Sequence, residues 1–115
     1  MVVNDRVKEV RHALGLTQIK FAERIAISQS YLVSIELGNK KINERTIRLI
    51  SMEFSVNEHW LRTGEGSMFN DEFDKKLARI NSLFKALNPR FQDCALDHLN
   101  VLAELYNSCK DKLIL

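Results

Sequence analysis

Three observations indicate an all-α protein of five short helices followed by a two-helix hairpin. One proline and four glycines in 115 residues are too few for a turn-rich β fold. Apolar residues recur three and four positions apart, which is the period of an amphipathic helix. Polar residues that suit the position before a helix precede most of these apolar sets. The hydrophobic content of 45% is enough for a core that needs no disulfide or metal.

Each of the first five helices is predicted from a capping residue and an apolar face. A polar side chain ahead of a helix can accept a hydrogen bond from one of its unpaired N–H groups. The predicted capping residues, in chain order, are Asn4, Thr17, Ser28, Asn43 and Asn57. Gly15, Gly38 and Gly64 follow the first, third and fifth helices, where a left-handed backbone favours glycine. The apolar faces are Val7, Val10 and Leu14; Ile19, Phe21, Ala22 and Ile25; Tyr31, Leu32 and Ile35; Ile47, Ile50 and Phe54; and Trp60 and Leu61.

Two glycines in the segment 64–67 mark a predicted boundary between a first domain, residues 1–66, and a second, residues 67–115. The sixth helix is predicted from about Asp71 to Leu87. The seventh is predicted to start at Asn88-Pro89, with Asn as the cap and Pro at the first helical position, and to continue to about Lys110. The two apolar stripes are Phe73, Leu77, Ile80, Phe84 and Leu87, and Phe91, Ala95, Leu99, Leu102 and Tyr106, widened by Leu96, Val101 and Leu105.

Net charge alone says little about the binding partner. The formal net charge is +2, which is a weak indication of nucleic-acid binding. Residues 1–66 carry ten lysines and arginines against eight acidic residues, whereas residues 67–115 carry seven against seven. The small basic excess therefore lies in the first domain.

The cysteines and histidines do not form the pattern of an enzyme or a metal site. Cys94 and Cys109 are 15 residues apart in the predicted seventh helix, about 22 Å at the helical rise, so they cannot bridge within it. Cys94 and His98 have ligand spacing, but two ligands do not complete a metal site. His12 and His59 accompany no nucleophile and no glycine-rich phosphate loop. We therefore expect no catalysis, metal or cofactor, and, without a leader or a long apolar run, a cytoplasmic protein with reduced thiols and no membrane partner.

The second and third predicted helices, joined by residues 26–28, form the most informative motif. Helices joined by so short a turn cross steeply, and the small Ala22 allows their close approach. Ile27, Leu32 and Ile35 provide their shared apolar core. Gln can form two hydrogen bonds with adenine, and Ser can bond to either a donor or an acceptor, so polar outward positions would suit base reading in the major groove. Those outward positions are Gln29, Ser30, Tyr31 and Ser34.

Residues 4–64 resemble the phage-repressor/Cro-type helix-turn-helix family, also called the xenobiotic-response-element (XRE) family. The residues that carry the resemblance are Leu16-Thr17-Gln18, Phe21-Ala22, Ser28-Gln29-Ser30-Tyr31, Ile35-Glu36-Leu37-Gly38-Asn39-Lys40 and Trp60-Leu61-Arg62-Thr63-Gly64. The resemblance implies a five-helix, lambda-repressor-like DNA-binding domain in a bacterial or prophage transcriptional regulator. One departure is Ala26, where the family usually has Gly. If this residue needs a positive φ, Ala costs about 1 kcal/mol.

The resemblance also implies a role for each matching residue. The base-reading residues would be Gln29, Ser30, Tyr31 and Ser34. The phosphate-binding residues would be Thr17, Gln18, Asn39, Lys40 and Lys41. Arg11 and Glu36 would form a structural pair between the first helix and the end of the third. Other interpretations stay open, in which Gln29 and Ser34 are ordinary solvated residues, Tyr31 is a core aromatic and Lys40-Lys41 is a solvated loop.

The apolar stripes of the hairpin are too wide for two helices to bury against each other, which predicts a homodimer. A dimer also suits DNA recognition, because two recognition helices about 34 Å apart read a palindrome. The predicted dimerisation residues are Leu77, Ile80, Phe84, Leu87, Phe91, Ala95, Leu99, Leu102 and Tyr106. The other interpretation of the hairpin is additional core packed on the first domain.

We therefore expect a repressor that binds a palindromic double-stranded DNA operator as a homodimer. The main alternative is an antitoxin that binds a toxin through the hairpin and regulates its own operon. An antirepressor is a further potential protein partner. A small-molecule sensor is a third alternative, although no polar cluster in the hairpin would orient a ligand.

Overall fold

The computed structural model describes residues 2–110, which form seven helices. Their bounds are α1 Val3–Ala13, α2 Gln18–Arg24, α3 Gln29–Glu36, α4 Glu44–Phe54, α5 Glu58–Thr63, α6 Asp71–Lys85 and α7 Pro89–Lys110. Within this part of the chain, the only β pairing is an isolated antiparallel bridge between Val56 and Phe69. The predicted all-α fold, with five short helices followed by two longer ones, is confirmed. No helix between residues 2 and 110 is both long enough and apolar enough to span a membrane.

Short polar side chains cap most of the helices, as the sequence predicts. Each accepts a hydrogen bond from a backbone N–H in the first turn, where the helix offers no carbonyl partner. The cap and donor pairs are Thr17 and Lys20, Ser28 and Tyr31, Asn43 and Thr46, Asn57 and His59, and Asn88 and Phe91. Asn70 acts in the same way for α6, by accepting from the N–H of Phe73.

The prediction that Asn4 caps the first helix is wrong. The helix begins at Val3, with Val2 in the capping position, and the Val2 N–H donates to a carboxylate oxygen of Asp5 at 3.3 Å. Asn4 therefore lies inside the first turn and is buried. Its side chain bonds to residues far along the chain rather than to its own helix.

The hydrophobic core is built by one apolar face from each of α1 to α5, together with Ile42 and Val56 from the connecting segments. Its buried members are Val7, Val10, Phe21, Ala22, Ile25, Leu32, Ile35, Ile42, Ile47, Ile50, Phe54, Val56, Trp60 and Leu61. The rings of Phe21 and Phe54 stack with centroids 4.8 Å apart, which joins α2 to α4. The prediction that Ile19 belongs to this core is wrong, because its side chain is 51% exposed. Ile19 is the second residue of α2, ahead of the turn that packs inward.

The first three helices end with the same hydrogen-bond pattern. After α1, the N–H of Gly15 donates to His12 and that of Leu16 donates to Arg11. The equivalent donors after α2 are Ala26 and Ile27, and after α3 they are Gly38 and Asn39. This pattern needs a left-handed residue just after the helix. Its occupants are Gly15 at φ 67°, Ala26 at φ 56° and Gly38 at φ 80°.

Residue 26 therefore does need a positive φ, which is the condition under which alanine costs free energy at this position. Neither Gly15 nor Gly38 has a neighbour within 4 Å of the place where a Cβ would stand. Glycine at these two positions is favoured by the backbone conformation and not by lack of space. Ala26 adopts the same conformation with a Cβ, which strains the turn by about 1 kcal/mol.

The chain divides into two compact units, one ending at Asp74 and the other beginning at Lys75. The boundary predicted from the sequence is earlier, at 66/67. The division comes later because residues 68–70, which follow the predicted boundary, pair back onto the first unit. The N–H of Asn57 donates to the Met68 carbonyl at 2.8 Å, and the N–H of Asn70 donates to the Ser55 carbonyl at 2.9 Å. The assignment of DNA binding to one domain and dimerisation to the other stays a prediction.

The second unit contains most of α6 and all of α7. The turn between the helices is held by the side-chain amide of Gln92, which donates to the carbonyls of Phe84 and Leu87. Cys94 and Cys109 are exposed and are not bonded to each other. Of the nine predicted dimerisation residues, Phe84 and Ala95 are half-buried, and the other seven are exposed. The single chain therefore leaves a long apolar stripe uncovered on this unit.

Ala26→Gly should stabilise the first unit, because glycine adopts the left-handed conformation without strain. We expect the free energy of unfolding to rise by about 0.5–1 kcal/mol, as relief of strain exceeds the added backbone entropy of glycine. Chemical denaturation of the wild type and the variant measures the difference. Ala13→Gly is the matched control, since Ala13 is in right-handed helix α1, and there the same change should lower stability. A loss of stability at position 26 would show that the turn carries no strain.

Candidate nucleic-acid interface

The segment from Thr17 to Leu37 forms two short helices that cross with a tight turn between them. Ala22 of α2 is buried, together with Leu32 and Ile35 of α3, as predicted from the sequence. Burial of these side chains fixes which face of α3 points outward. On the outward face Gln29 and Ser30 are exposed, while Tyr31 and Ser34 are half-buried.

Three polar side chains, Arg11, Gln18 and Glu36, meet at the end of α3, and we name them the Glu36 cluster. Arg11 donates to both carboxylate oxygens of Glu36, from Nε at 2.7 Å and from Nη2 at 2.8 Å. Gln18 Nε2 donates to Glu36 Oε1 at 3.2 Å. Since these residues belong to α1, α2 and α3, one carboxylate fixes three helices. The structure thus brings together the predicted pair Arg11 and Glu36.

The Glu36 cluster is shielded from water, with only 3% of the Glu36 side chain and 13% of the Arg11 side chain exposed. Burial alone would raise the pKa of Glu36. The hydrogen bonds from Arg11 and Gln18, with the positive charges of Arg11 and Lys8, outweigh burial and hold its pKa below the usual value. The carboxylate therefore stays ionised across the physiological range.

Gln18 has a structural contact that the sequence did not predict. One N–H of its amide group is used by Glu36, and an amide nitrogen carries two hydrogens. The same side chain can therefore hold Glu36 and still donate to a phosphate. Thr17, the neighbouring candidate, is exposed, and its hydroxyl caps α2. The phosphate roles of both residues stay predictions.

Tyr31 connects α3 to the start of α4. Its hydroxyl accepts a hydrogen bond from the N–H of Asn43 at 3.3 Å, and Asn43 in turn caps α4. The ring packs partly against the core. Tyr31 thus has features of both interpretations offered by the sequence, because it is packed and yet remains beside the outward face. A base contact by Tyr31 stays a prediction.

The loop of residues 38–41, which we name the 38–41 loop, presents Asn39, Lys40 and Lys41 in exposed positions. Its backbone is held from two sides. Ser34 O accepts from the N–H groups of Asn39 and Lys40, at 2.9 and 3.3 Å. Asn4 Nδ2 donates to the Lys40 carbonyl at 2.7 Å. The phosphate contacts of this loop stay predictions.

Sequence reasoning missed two buried polar residues of α1. Arg6 donates to the carbonyls of Leu61 and Arg62, each at 2.7 Å, and so holds the end of α5. Asn4 holds the end of α3 and the 38–41 loop. A signal was present, because Asn4 lies three positions from Val7 and Arg6 lies four positions from Val10, so in a helix each shares a face with an apolar residue. A polar side chain buried in this way needs a hydrogen-bond partner. The identity of those partners depends on tertiary packing.

A model of the helix-turn-helix domain family matches residues 4–67, more than half of the chain. The chain belongs to this family, in its XRE type. The propionyl-CoA carboxylase regulator of Cereibacter sphaeroides is 32% identical over 73 residues, which are 64% of this chain but 16% of the regulator. The chain therefore spans a minor part of that relative.

The fold is also similar to a solved structure. A chain of the SinR protein/SinI protein complex matches with a TM-score of 0.52 and 21% sequence identity, covering 90% of this chain and 99% of that chain. At this identity the similarity concerns the fold. It agrees with the helical, XRE-type assignment given by the family match.

Glu36→Gln should remove an acid-sensitive part of the stability. Because the pKa of Glu36 is lowered in the folded state, its contribution is complete above the unfolded pKa of about 4.3 and is lost as the pH falls through the folded value. At neutral pH the variant should lose about 3 kcal/mol, since the Arg11 charge loses its anion. The difference from wild type should shrink as the pH is lowered below about 4.3, the unfolded pKa, in denaturation experiments.

Glu44→Gln is the control for this measurement, because Glu44 pairs with Arg62 but lies at the surface. Its loss at neutral pH should be smaller than that at Glu36, since water screens the pair. Equal losses at the two positions would contradict the central place given to Glu36.

Proposed function

We propose that this XRE-type regulator is a repressor that binds a palindromic operator as a homodimer, with α3 in the major groove. The observation that carries the proposal is a firmly held α3 whose outward face is polar. Gln29 and Ser30 are exposed there, and the lysines of the 38–41 loop, which follows α3, are exposed as well. A helix inserted into the major groove needs such a face for bases and adjacent cations for the backbone.

The proposed base-reading residues divide by chemistry. Gln29 is the first residue of α3 and can bond to adenine N6 and N7 together. Ser30 and Ser34 can bond to either a donor or an acceptor. Tyr31 contributes its ring edge to a thymine methyl group or to the backbone. Thr17, Gln18 and Asn39 bind phosphates with Lys40 and Lys41, and these contacts set the position of α3 without reading sequence.

Gln29→Ala should weaken binding to the operator by about 1–3 kcal/mol and should leave binding to random DNA almost unchanged. Lys40→Ala is the matched comparison, because it should weaken binding to both DNAs alike. It should also reduce the slope of log affinity against log salt concentration by about one unit. Operator fragments selected from the source genome, titrated at several salt concentrations, measure both effects. An equal loss on random DNA for Gln29→Ala would remove it from the base-reading set.

The proposed homodimer forms through the uncovered stripe of the second unit. Seven of the nine predicted residues are exposed in the single chain, and Leu102, the most exposed, reaches 60%. Apolar area of this extent is normally buried in an interface. A second copy is the occupant we propose, because a two-fold pair presents α3 twice to the two halves of a palindrome.

Leu102→Glu should convert the dimer to a monomer, because it places a charge in the middle of the proposed interface. Met52→Glu is the matched control, since Met52 is an apolar side chain of α4 that is 81% exposed and lies outside the stripe. Light scattering after size-exclusion chromatography gives the mass of each species. A Leu102→Glu protein that remains dimeric, with the control unchanged, would place the interface elsewhere.

The alternative is that the hairpin binds a different protein, such as a toxin or an antirepressor. It is favoured by one observation, that the similar solved structure is a complex between two proteins, SinR and SinI. Co-expression with the product of the neighbouring reading frame tests it. A stable heteromeric complex, with Leu102→Glu disrupting it, would favour this alternative over the homodimer.

A further inference from the structure

We propose that Asn4 is a positioning residue for DNA binding, which fixes the 38–41 loop and its two lysines relative to α3. The inference rests on the proposed function, because it assigns Asn4 a role in the phosphate contacts of Lys40 and Lys41. It is carried by two hydrogen bonds that join α1 to residues 31 and 36 positions further along the chain.

One amide nitrogen of Asn4 bonds two parts of the interface at once. Nδ2 donates to the Ile35 carbonyl at 3.0 Å and to the Lys40 carbonyl at 2.7 Å. The residue is only 8% exposed, so water competes little for these bonds. An amide nitrogen carries two hydrogens, and here each one has a carbonyl acceptor. Asn4 therefore joins the last turn of α3 directly to the loop that follows it.

The Lys40 backbone is thereby fixed on both of its sides. Its N–H donates to Ser34 O at 3.3 Å, and its carbonyl accepts from Asn4 at 2.7 Å. The next apolar residue, Ile42, is buried in the core and anchors the far end of the loop. Between these attachments the lysine side chains remain exposed. The loop is thus ordered before DNA arrives, which reduces the entropy lost on binding.

The side chain at position 4 must be a short donor for this arrangement. Asp has the same shape but would bring a carboxylate against two carbonyl oxygens, and Ala would leave both carbonyls without this donor. The Ile35 carbonyl also accepts from the N–H of Gly38, so the end of α3 keeps a hydrogen bond without Asn4. What is lost first is the fixed position of the loop.

Asn4→Ala should therefore weaken DNA binding in a way that tracks phosphate contacts. We expect affinity for operator and for random DNA to fall alike, by about three- to tenfold, and the salt dependence to fall by about one ion. Asn57→Ala is the matched control, because Asn57 is also an asparagine whose side chain holds the backbone of the first unit. That variant should lose stability without changing the salt dependence.

Combination with the lysine substitutions separates positioning from general stability. In a chain that carries Lys40→Ala and Lys41→Ala, the further change Asn4→Ala should alter affinity by less than about twofold, because the contacts that it positions are gone. In the Gln29→Ala background its loss should be undiminished. Independent multiplication of the Asn4 and lysine losses, or an unchanged salt dependence, would overturn the inference.

Hydrogen exchange gives a second measurement that needs no DNA. The N–H groups of Asn39 and Lys40 should exchange faster in Asn4→Ala than in wild type, whereas Asn57→Ala should leave them unchanged. If Asn4→Ala does not fold, Asn4→Ser, which keeps a hydroxyl donor, takes its place with a smaller effect in the same direction. Unchanged exchange in the folded variant would contradict the inference.

The outcomes also separate this inference from the proposed function. If Lys40→Ala and Lys41→Ala leave DNA binding unchanged, the phosphate role of the loop is wrong, and Asn4 falls with it as a DNA-binding residue. If the lysines matter but Asn4→Ala leaves the salt dependence unchanged, the proposed function stands and only the positioning role is lost.

Discussion

Glu36 is the last residue of α3, and its carboxylate accepts hydrogen bonds from side chains of both helices that precede α3. Arg11 occupies both oxygens, and Gln18 adds a third donor. A buried carboxylate is costly unless it is paired in this way, so the three groups depend on one another. Arg11 belongs to α1, Gln18 to α2 and Glu36 to α3. The Glu36 cluster therefore fixes at one point both the crossing of α2 and α3 and their attachment to α1. The direction of the outward face of α3 follows from that point.

A second constraint is the way in which the first three helices end. Each stops with one left-handed residue, and the chain turns back to bond with its own last carbonyls. After α2 this directs the chain into α3, and after α3 it directs the chain into the 38–41 loop. The left-handed residue between α2 and α3 is Ala26, whereas α1 and α3 are followed by glycine. The turn after α2 therefore has the same geometry as the others, with a small strain.

Local features of the structure could be predicted from the residues alone, whereas the long-range pair Arg11 and Glu36 was predicted only through the family resemblance and other long-range contacts were missed. Caps such as Ser28 and Asn43 accept from backbone N–H groups only three residues further along the chain. The local sequence is therefore enough to predict them. Asn4 has the same chemistry, but its partners are 31 and 36 residues away, so a capping role was inferred wrongly. Ile19 fits the helical period of α2, yet only the packing of α2 decides which apolar positions turn inward. The second use of Gln18, as a partner of Glu36, likewise depends on the crossing of three helices.

The residues that hold α3 are different from those that it presents. Asn4, Arg11 and Gln18 contact its last turn, whereas Gln29 and Ser30 lie at its first turn and bond no supporting side chain through their own side chains in the described contacts. Under the proposed function, orientation and sequence preference are therefore encoded by separate positions along the chain. If Gln29 and Ser30 read bases as proposed, their exchange would redirect the protein to another operator while the residues that hold α3 stay unchanged. A regulator built in this way can acquire new target sites through few substitutions, without refolding its domain.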